Sequence, residues 1–383
     1  MKKTDYFNRL LPELIKCKAY RKTGLTKVNP FTITFSITAA CQSRCKTCKI
    51  GQMYHDNPDR KNDDLTVNEI EKIFKTMRPL YYFNVSGGEP FLRDDLPEIV
   101  DLACYYLKPK IVHIPTNALL PQRIYQHSSD IIKTINQKYH GVELTVKPSI
   151  DGVNEIHDEI RGVKGGFRKL TETIELLKQL DDKYDNFHLD LGTVVSNYNI
   201  DYLDEIEDFV HSLNIESYRN EIAEQRAEFF NIGDPITPSA DVYENLMEGF
   251  SEKIYANIKN KKSLTRTAEA LRLTYYKLVV RILKEQRQVI PCYALISKVH
   301  INYDGGVWPC SVLGYDQEIG NLRNYDYDFQ ELWYSKEANR VREYIKNNNC
   351  ACPLASQAYC NILLDTKSMV KVLYLTLLFK LKR

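Results

Sequence analysis

The run FTITFSI (Phe31–Ile37) passes through Thr38-Ala39-Ala40 into CQSRCKTC (Cys41–Cys48). In the first segment Phe31, Ile33, Phe35 and Ile37 alternate with Thr32, Thr34 and Ser36, the period-two pattern of a β-strand. The second segment spaces its three cysteines as C-x3-C-x2-C. Three thiolates on one loop can hold three irons of a [4Fe–4S] cube. The fourth iron is then free to bind a ligand, as an open position on a metal does at a catalytic site. Half of a zinc site and bystander thiols are the other readings. Zinc ribbons pair C-x2-C units, and no partner unit stands nearby.

Working outward, strand-like and helical runs alternate. Thr66-Val67-Asn68-Glu69 is a capping box opening a helix through Ile70, Ile73 and Phe74. Strands are predicted at Leu80–Val85, Ile111–Ile114, Val142–Ile150, Phe187–Val195 and Ile215–Ile222. Helices are predicted at Leu96–Leu107, Leu119–Gln137, Phe167–Leu180 and Leu203–Leu213. This alternation predicts an α/β fold, a parallel sheet with helices outside, closed as a barrel or part of one. Active sites of such folds lie at the C-terminal strand ends.

Composition sets limits on the rest. The 383 residues carry a net charge of +2, which gives no sign of a nucleic-acid partner. The basic N-terminus lacks the uninterrupted apolar run of a secretory signal, and no stretch is long and apolar enough to span a bilayer. A cytoplasmic location is therefore expected, where ten cysteines read as metal ligands rather than disulfides. The predicted division is residues 1–30 as an extension, 31–235 as the barrel and 236–290 as a helical connector. Residues 291–365 follow as a cysteine-rich domain and 366–383 as an apolar, basic tail. The tail, SMVKVLYLTLLFKLKR from Ser368, suits either an anionic membrane surface or a cap on the cysteine-rich domain.

SGGEP (Ser86–Pro90) directly follows a predicted strand. Its glycines allow close backbone approach to a ligand, and Glu89 can accept from an amine; a plain strand–helix turn is the alternative. Together CQSRCKTC and SGGEP resemble the radical S-adenosylmethionine (SAM) superfamily, over roughly Phe31 to Ile222. The resemblance implies a partial (β/α)6 TIM-like barrel. It implies that Cys41, Cys45 and Cys48 hold a [4Fe–4S] cluster and that Ser86, Gly87, Gly88 and Glu89 contact SAM. IPTNA (Ile114–Ala118) stands where the family has a TNG sequence, which implicates Thr116 and Asn117. PSIDG (Pro148–Gly152) brings Ser149 and Asp151 toward the ribose, with IHDEIRG (Ile156–Gly162) following, and the resemblance places Val194 to Asn197, at the end of the fifth strand, near the adenosine. Two departures stand out: Thr47 occupies a position often aromatic, and Ala118 replaces the usual glycine.

Cys292, then Gly305 and Cys310 in G-x4-C spacing, then CACPLASQAYC (Cys350–Cys360) resemble a SPASM or shorter twitch domain with auxiliary Fe–S clusters. Five cysteines imply one auxiliary [4Fe–4S] cluster on Cys292, Cys310 and two of Cys350, Cys352 and Cys360. Cys350 and Cys352 stand close together, so Cys352 with Cys360 is the preferred pair; a zinc-stapled lobe is the alternative. Cys104 reads as core and Cys17 as having no role. His157 and His300 show no ligand spacing. Arg219, Glu221 and Arg226 read either as reaching substrate or as a solvated face, and Tyr218 either as lining the pocket or as packing.

The resulting expectation is an enzyme that cleaves SAM reductively to a 5′-deoxyadenosyl radical and abstracts hydrogen from a peptide, protein or small molecule. An electron donor such as flavodoxin or ferredoxin is implied. The competing class is a non-catalytic Fe–S or zinc redox-sensing protein, for which SGGEP and PSIDG would have no use.

Overall fold

The computed structural model describes residues 9–25, 27–215, 217–258, 263–347 and 350–381. Six strands pair in parallel in chain order: β1 (Thr32–Ser36), β2 (Tyr82–Ser86), β3 (Ile111–Thr116), β4 (Glu143–Pro148), β5 (Phe187–Val195) and β6 (Ser217–Ile222). Helices connect them on the outside, and the barrel stays open. Beyond β1 the same sheet continues into β7 (Lys298–Ile301), β8 (Gly306–Trp308) and β9 (Gly320–Asn321). β7 lies parallel to β1, with Thr32 opposite Lys298, and β8 and β9 return antiparallel. The cysteine-rich segment is thus joined to the barrel by backbone hydrogen bonds.

The period of two divides each strand between core and lumen. Ile33 and Phe35, Phe83 and Val85, Val112 and Ile114, Leu144 and Val146 face outward and are fully buried against the helices. Each such side chain contributes roughly 1.5–3 kcal/mol by leaving water. The opposite positions carry Thr32, Thr34, Tyr82, Asn84, His113, Lys147, Arg219, Glu221 and Lys298, and these line a cavity of about 570 Å³. Parallel strands are usually apolar on both faces. Here one face is polar because it borders a cavity.

The capping box forms as read, with Thr66 and Glu69 each satisfying the other's backbone N–H at the start of helix Val67–Thr76. β5 has the predicted bounds. β2 starts two residues later than predicted, because the N–H of Leu80 turns back to the carbonyl of Leu107. The segment read as a connector holds helices Ala240–Asn257 and Ser263–Glu285. The second helix is a wall of the cavity, contributing Ala268, Leu271 and Arg272. Helix Ala355–Leu364 adds Ser356, Tyr359, Cys360 and Leu363.

The tail forms helix Thr366–Leu381, whose Val372, Leu375 and Phe379 are buried in the common core. Phe379 stacks edge-on against Tyr255, 5.6 Å between ring centres. The tail therefore packs on protein, chiefly the helical segment before the cysteine-rich domain. Val370, Leu373, Tyr374 and Leu377 face outward. Among the described residues, no helix is long and apolar enough to cross a membrane.

Candidate active site

The cysteine loop begins where β1 ends and is fastened to the SGGEP loop by backbone hydrogen bonds. Gly88 donates to the carbonyl of Thr38 (2.9 Å) and Glu89 to that of Ala40 (2.8 Å). This close approach explains the glycine pair. A Cβ on Gly88 would stand 2.1 Å from the Ala40 carbonyl oxygen, and Gly87 holds φ +119°. From the far side, Arg44 and Lys46 donate to the carbonyls of Arg161 (3.0 Å) and Ile160 (2.9 Å) at the end of helix Glu155–Arg161. Gly162 ends that helix at φ +66°, where a Cβ would meet the Arg44 carbonyl oxygen at 2.4 Å. The spaced motifs of the sequence are thus the parts that grip one loop.

Cys41, Cys45 and Cys48 all line the cavity. Burial pushes the Cys41 thiol up to about 12 and raises Cys45 and Cys48 as well. The Ser43 backbone offsets this at Cys41 and Arg161 offsets it at Cys45. Arg161 Nη1 approaches Cys45 Sγ at 3.8 Å, and Asn117 Nδ2 approaches Cys41 Sγ at 3.9 Å.

Glu89 is buried between β2 and β3. Its Oε2 accepts from the N–H of Asn117 (2.7 Å), and its Oε1 accepts from Thr116 Oγ1 (2.9 Å) and the N–H of Phe91 (3.2 Å). Burial outweighs these donors and pushes the carboxyl up to about 7. Ala118 follows at φ +61°, a left-handed conformation that explains a glycine preference at this position.

Ser149, Asp151 and Val194 also border the cavity. Asp151 is committed within the protein: its Oδ1 accepts from the N–H of Val194 (2.9 Å), and its Oδ2 pairs with Arg161 Nη2 (2.8 Å). Arg161 is the residue sequence reasoning left unassigned, although it stands in the quoted IHDEIRG. It joins Asp151 to Cys45, and its Nε is buried with no partner among the described residues. A cation directly before a helix-ending glycine was the available signal. Thr47 borders the same space, and its carbonyl accepts from Asn231 Nδ2 (2.8 Å).

Farther along the lumen Arg219, Glu221 and Arg226 border the cavity; Arg219 keeps 44% of its side chain exposed there, and Arg226 is mostly buried. Lys147 pairs with Glu221 (3.3 Å), Arg219 with Asp190 (2.8 Å), Arg226 with Glu224 (3.0 Å) and Arg272 with Glu269 (3.2 Å). Burial pushes Glu224 up to about 7, and its Oε2 lacks a partner among the described residues. Tyr218 takes the packing role instead, bonded to Thr193 (2.8 Å). His300 is fully buried between Ser36 (2.8 Å) and Ser311 (3.0 Å), and His157 faces the N–H of Asp151 (3.3 Å).

The C-terminal cysteines separate into two groups. The charges of Cys310, Cys292 and Cys350 all act on Cys352, and that of Cys350 acts on Cys292 and Cys310. Cys360 is not among these neighbours, although Lys298 stands near both it and Cys310. Its Sγ faces Thr32 Oγ1 at 3.9 Å, and its charged neighbour is Lys298. Cys350 and Cys352 thus have Cys292 and Cys310 as neighbours, a grouping that differs from the expected pair Cys352 with Cys360. Cys17 is fully buried beside Cys360 rather than idle in a polar segment, and Cys104 is core as read. Among the described residues, no three His, Cys, Asp or Glu side chains converge on a single metal-ion position. The thiols are grouped here by shared surroundings, not by single-ion geometry.

Comparisons with known proteins agree with this layout. A family model described as the radical SAM superfamily matches residues 35–210, and one described as an iron–sulfur cluster-binding domain (SPASM) matches 292–353. The second match contains Cys292, Cys310, Cys350 and Cys352 and ends before Cys360. The antilisterial bacteriocin subtilosin biosynthesis protein AlbA of Bacillus subtilis is 24% identical, over 84% of this chain and 65% of its own length. The AdoMet-dependent heme synthase of Oleidesulfovibrio alaskensis is 24% identical, over 80% of this chain and 74% of its own. Streptococcus suis SuiB, solved with its precursor peptide SuiA, has a similar fold, with a TM-score of 0.59 and 17% identity, over 86% of this chain and 70% of its own. The chain thus spans just under two thirds of the first of these curated relatives.

Proposed function

From the premise that this chain is a radical SAM protein with a SPASM domain, and so has SAM, a [4Fe–4S] cluster and auxiliary iron–sulfur clusters as its cofactors, we propose that it modifies a peptide by hydrogen abstraction. The observation that carries this is the cavity of about 570 Å³, which runs from Cys41, Cys45 and Cys48 to Cys360 and the residues beside the auxiliary thiols. It has room for a nucleoside cofactor and a substrate side chain together.

The residues fit these groups. Three thiols on one loop border one space, and Arg161 Nε is a buried donor with no partner among the described residues. Cys41, Cys45 and Cys48 would hold the first cluster, and Cys292, Cys310, Cys350 and Cys352 an auxiliary one. Ser86, Gly87, Gly88, Glu89, Thr116, Asn117, Ser149, Asp151 and Val194 would surround SAM. When bound, SAM and the first cluster supply a hydrogen-abstracting radical to the cavity.

The protein's own contribution is orientation and exclusion of water. Glu89 presents its carboxylate at the SGGEP loop for an amine donor, held by Thr116, Asn117 and Phe91. Arg161 sets a positive charge beside Cys45 and is itself held by Asp151. Helices Ser263–Glu285 and Ala355–Leu364 supply part of the wall of the lumen. A peptide substrate is supported by the relatives whose names refer to bacteriocin biosynthesis and a bound precursor peptide. A flavodoxin or ferredoxin would serve as electron donor, in the cytoplasm.

The test is anaerobic incubation of the cluster-loaded protein with dithionite and SAM. Release of 5′-deoxyadenosine, lost in Cys41→Ala, Cys45→Ala and Cys48→Ala, supports the reading. No release from a protein with full iron content refutes it and favours a non-catalytic module.

A further inference from the structure

We propose that Lys298 is the anchor for a carboxylate of the substrate. This rests on the proposed reading of the cavity as a peptide-modifying site and narrows it to substrates that bring a carboxylate into the lumen.

Lys298 opens β7, and its register partner on β1 is Thr32. The lumen face of β1 is the one bearing Thr32 and Thr34, so the lysine points into the same cavity. It is 1% exposed. Every other cation on the cavity wall faces a carboxylate within 3.3 Å. Lys298 has no carboxylate at ion-pair distance among the described residues; its ammonium donates to the hydroxyl of Ser356. An ammonium has three donors, so two remain for a ligand.

A buried charge without a counter-charge is costly and is tolerated where something pairs with it. Glu221, Glu224, Asp151, Asp190 and Glu269 each already hold a cation of the cavity wall, and Glu228 accepts from Ser36 Oγ (3.1 Å) beside His300; among the described residues none of the six is at ion-pair distance from Lys298. Lys298 and Ser356 together offer a charge and a hydroxyl on adjoining walls, a suitable pair for a carboxylate. They border the same lumen as the SGGEP loop and Cys41. A substrate held there by its carboxylate would lie within the cavity that the first cluster faces.

The test uses three small peptides on the cluster-loaded, SAM-bound protein, with dissociation constants from calorimetry. The first is an N-acetylated, C-amidated alanine tripeptide with glutamate at its centre. The second has glutamine in place of that glutamate. The third is acetyl-tetra-alanine with a free C-terminal carboxylate. At least one carboxylate peptide should bind tenfold or more tighter than the glutamine peptide, and which one does so tells a side chain from a chain terminus. In Lys298→Met and in Lys298→Gln, which retains a donor for Ser356, that preference should shrink to within twofold, while Lys298→Arg keeps part of it. Equal binding of all three peptides, no binding by either carboxylate peptide, or a preference that survives both neutral variants would overturn the proposal. So would loss of auxiliary iron in Lys298→Gln with the preference intact, which would assign the lysine to the cluster instead. Release of 5′-deoxyadenosine by the unsubstituted protein is measured in parallel. Release without a carboxylate preference sinks this inference alone, and a preference without release sinks the functional reading alone.

Discussion

Glu89 Oε2 accepts the backbone N–H of Asn117 at 2.7 Å, and this one bond ties the end of β2 to the end of β3 where the site is built. Its other oxygen serves Thr116 and Phe91. Glu89→Ala strands three buried donors, at about 1–3 kcal/mol for each left unsatisfied. The melting temperature should fall by several degrees, and SAM affinity by tenfold or more. Calorimetry on Glu89→Gln, which keeps one acceptor, should give an intermediate loss in both.

The same carboxylate predicts a pH dependence. Burial raises it to about 7, above the ordinary carboxylate value of 4.5. The folded protein therefore holds this proton more tightly than the unfolded chain, and ionisation costs stability as pH rises from about 4.5 to 7. A SAM amine, in contrast, needs the ionised form. SAM affinity of the cluster-loaded protein should climb as pH rises through about 7 and level off above it. In Glu89→Gln the titration should be flat across that range.

Arg161 and Asp151 form a buried pair at 2.8 Å with Cys45 beside them. Removing one partner of such a pair costs roughly 3–5 kcal/mol. Arg161→Ala should lower the melting temperature and reduce the iron retained at the N-terminal cluster. Unchanged iron in a folded Arg161→Ala protein would count against any role for it at Cys45.

The auxiliary assignment is checked by counting metal. Two cubes correspond to about eight irons per chain. Alanine at Cys292, Cys310, Cys350 or Cys352 should lower the count toward about four. Cys360→Ala should leave it unchanged, because that thiol faces Thr32 and Lys298.

Glu69 joins the barrel to the C-terminal segment. It completes the capping box and also accepts from Arg323 Nε (2.8 Å) and Tyr327 Oη (2.9 Å). The bond from Arg323 comes first among the causes that hold its carboxyl at about 2, below the usual 4.5. Its contribution is thus present above pH 4.5 and lost as pH falls from there toward 2. Glu69→Ala should cost about 1–2 kcal/mol at neutral pH, as loss of a helix cap does. Denaturant titration at pH 7 and at low pH should show the difference between the two proteins shrinking in acid.

The legible part of the fold was local. Alternation in Phe31–Ile37 and in Phe187–Val195 marks β1 and β5, and the Thr66–Glu69 capping box marks a helix start, because each depends on residues within one element. CQSRCKTC, SGGEP, IPTNA and PSIDG could be read as parts of one site because each stands at a strand end. What sequence did not reveal depends on distant partners. β7 is a four-residue strand whose pairing with β1 spans more than two hundred residues, so nothing local announced that the sheet continues. Arg161 gains its meaning from Asp151 and Cys45, and Lys298 from what surrounds it in the lumen. The preference for Cys352 with Cys360 rested on the close spacing of Cys350 and Cys352 along the chain, which does not tell which other thiols the fold brings beside them. Both have Cys292 as a neighbour.

The central claim is that a cluster on Cys41, Cys45 and Cys48 has an iron open to SAM. Electron paramagnetic resonance of the dithionite-reduced, cluster-loaded protein, recorded before and after SAM is added, tests it most directly. A shift in the signal that needs tenfold or more SAM to develop in Glu89→Ala and is unaffected by Cys310→Ala is the predicted result. A spectrum identical with and without SAM, in a protein with full iron content, would contradict it.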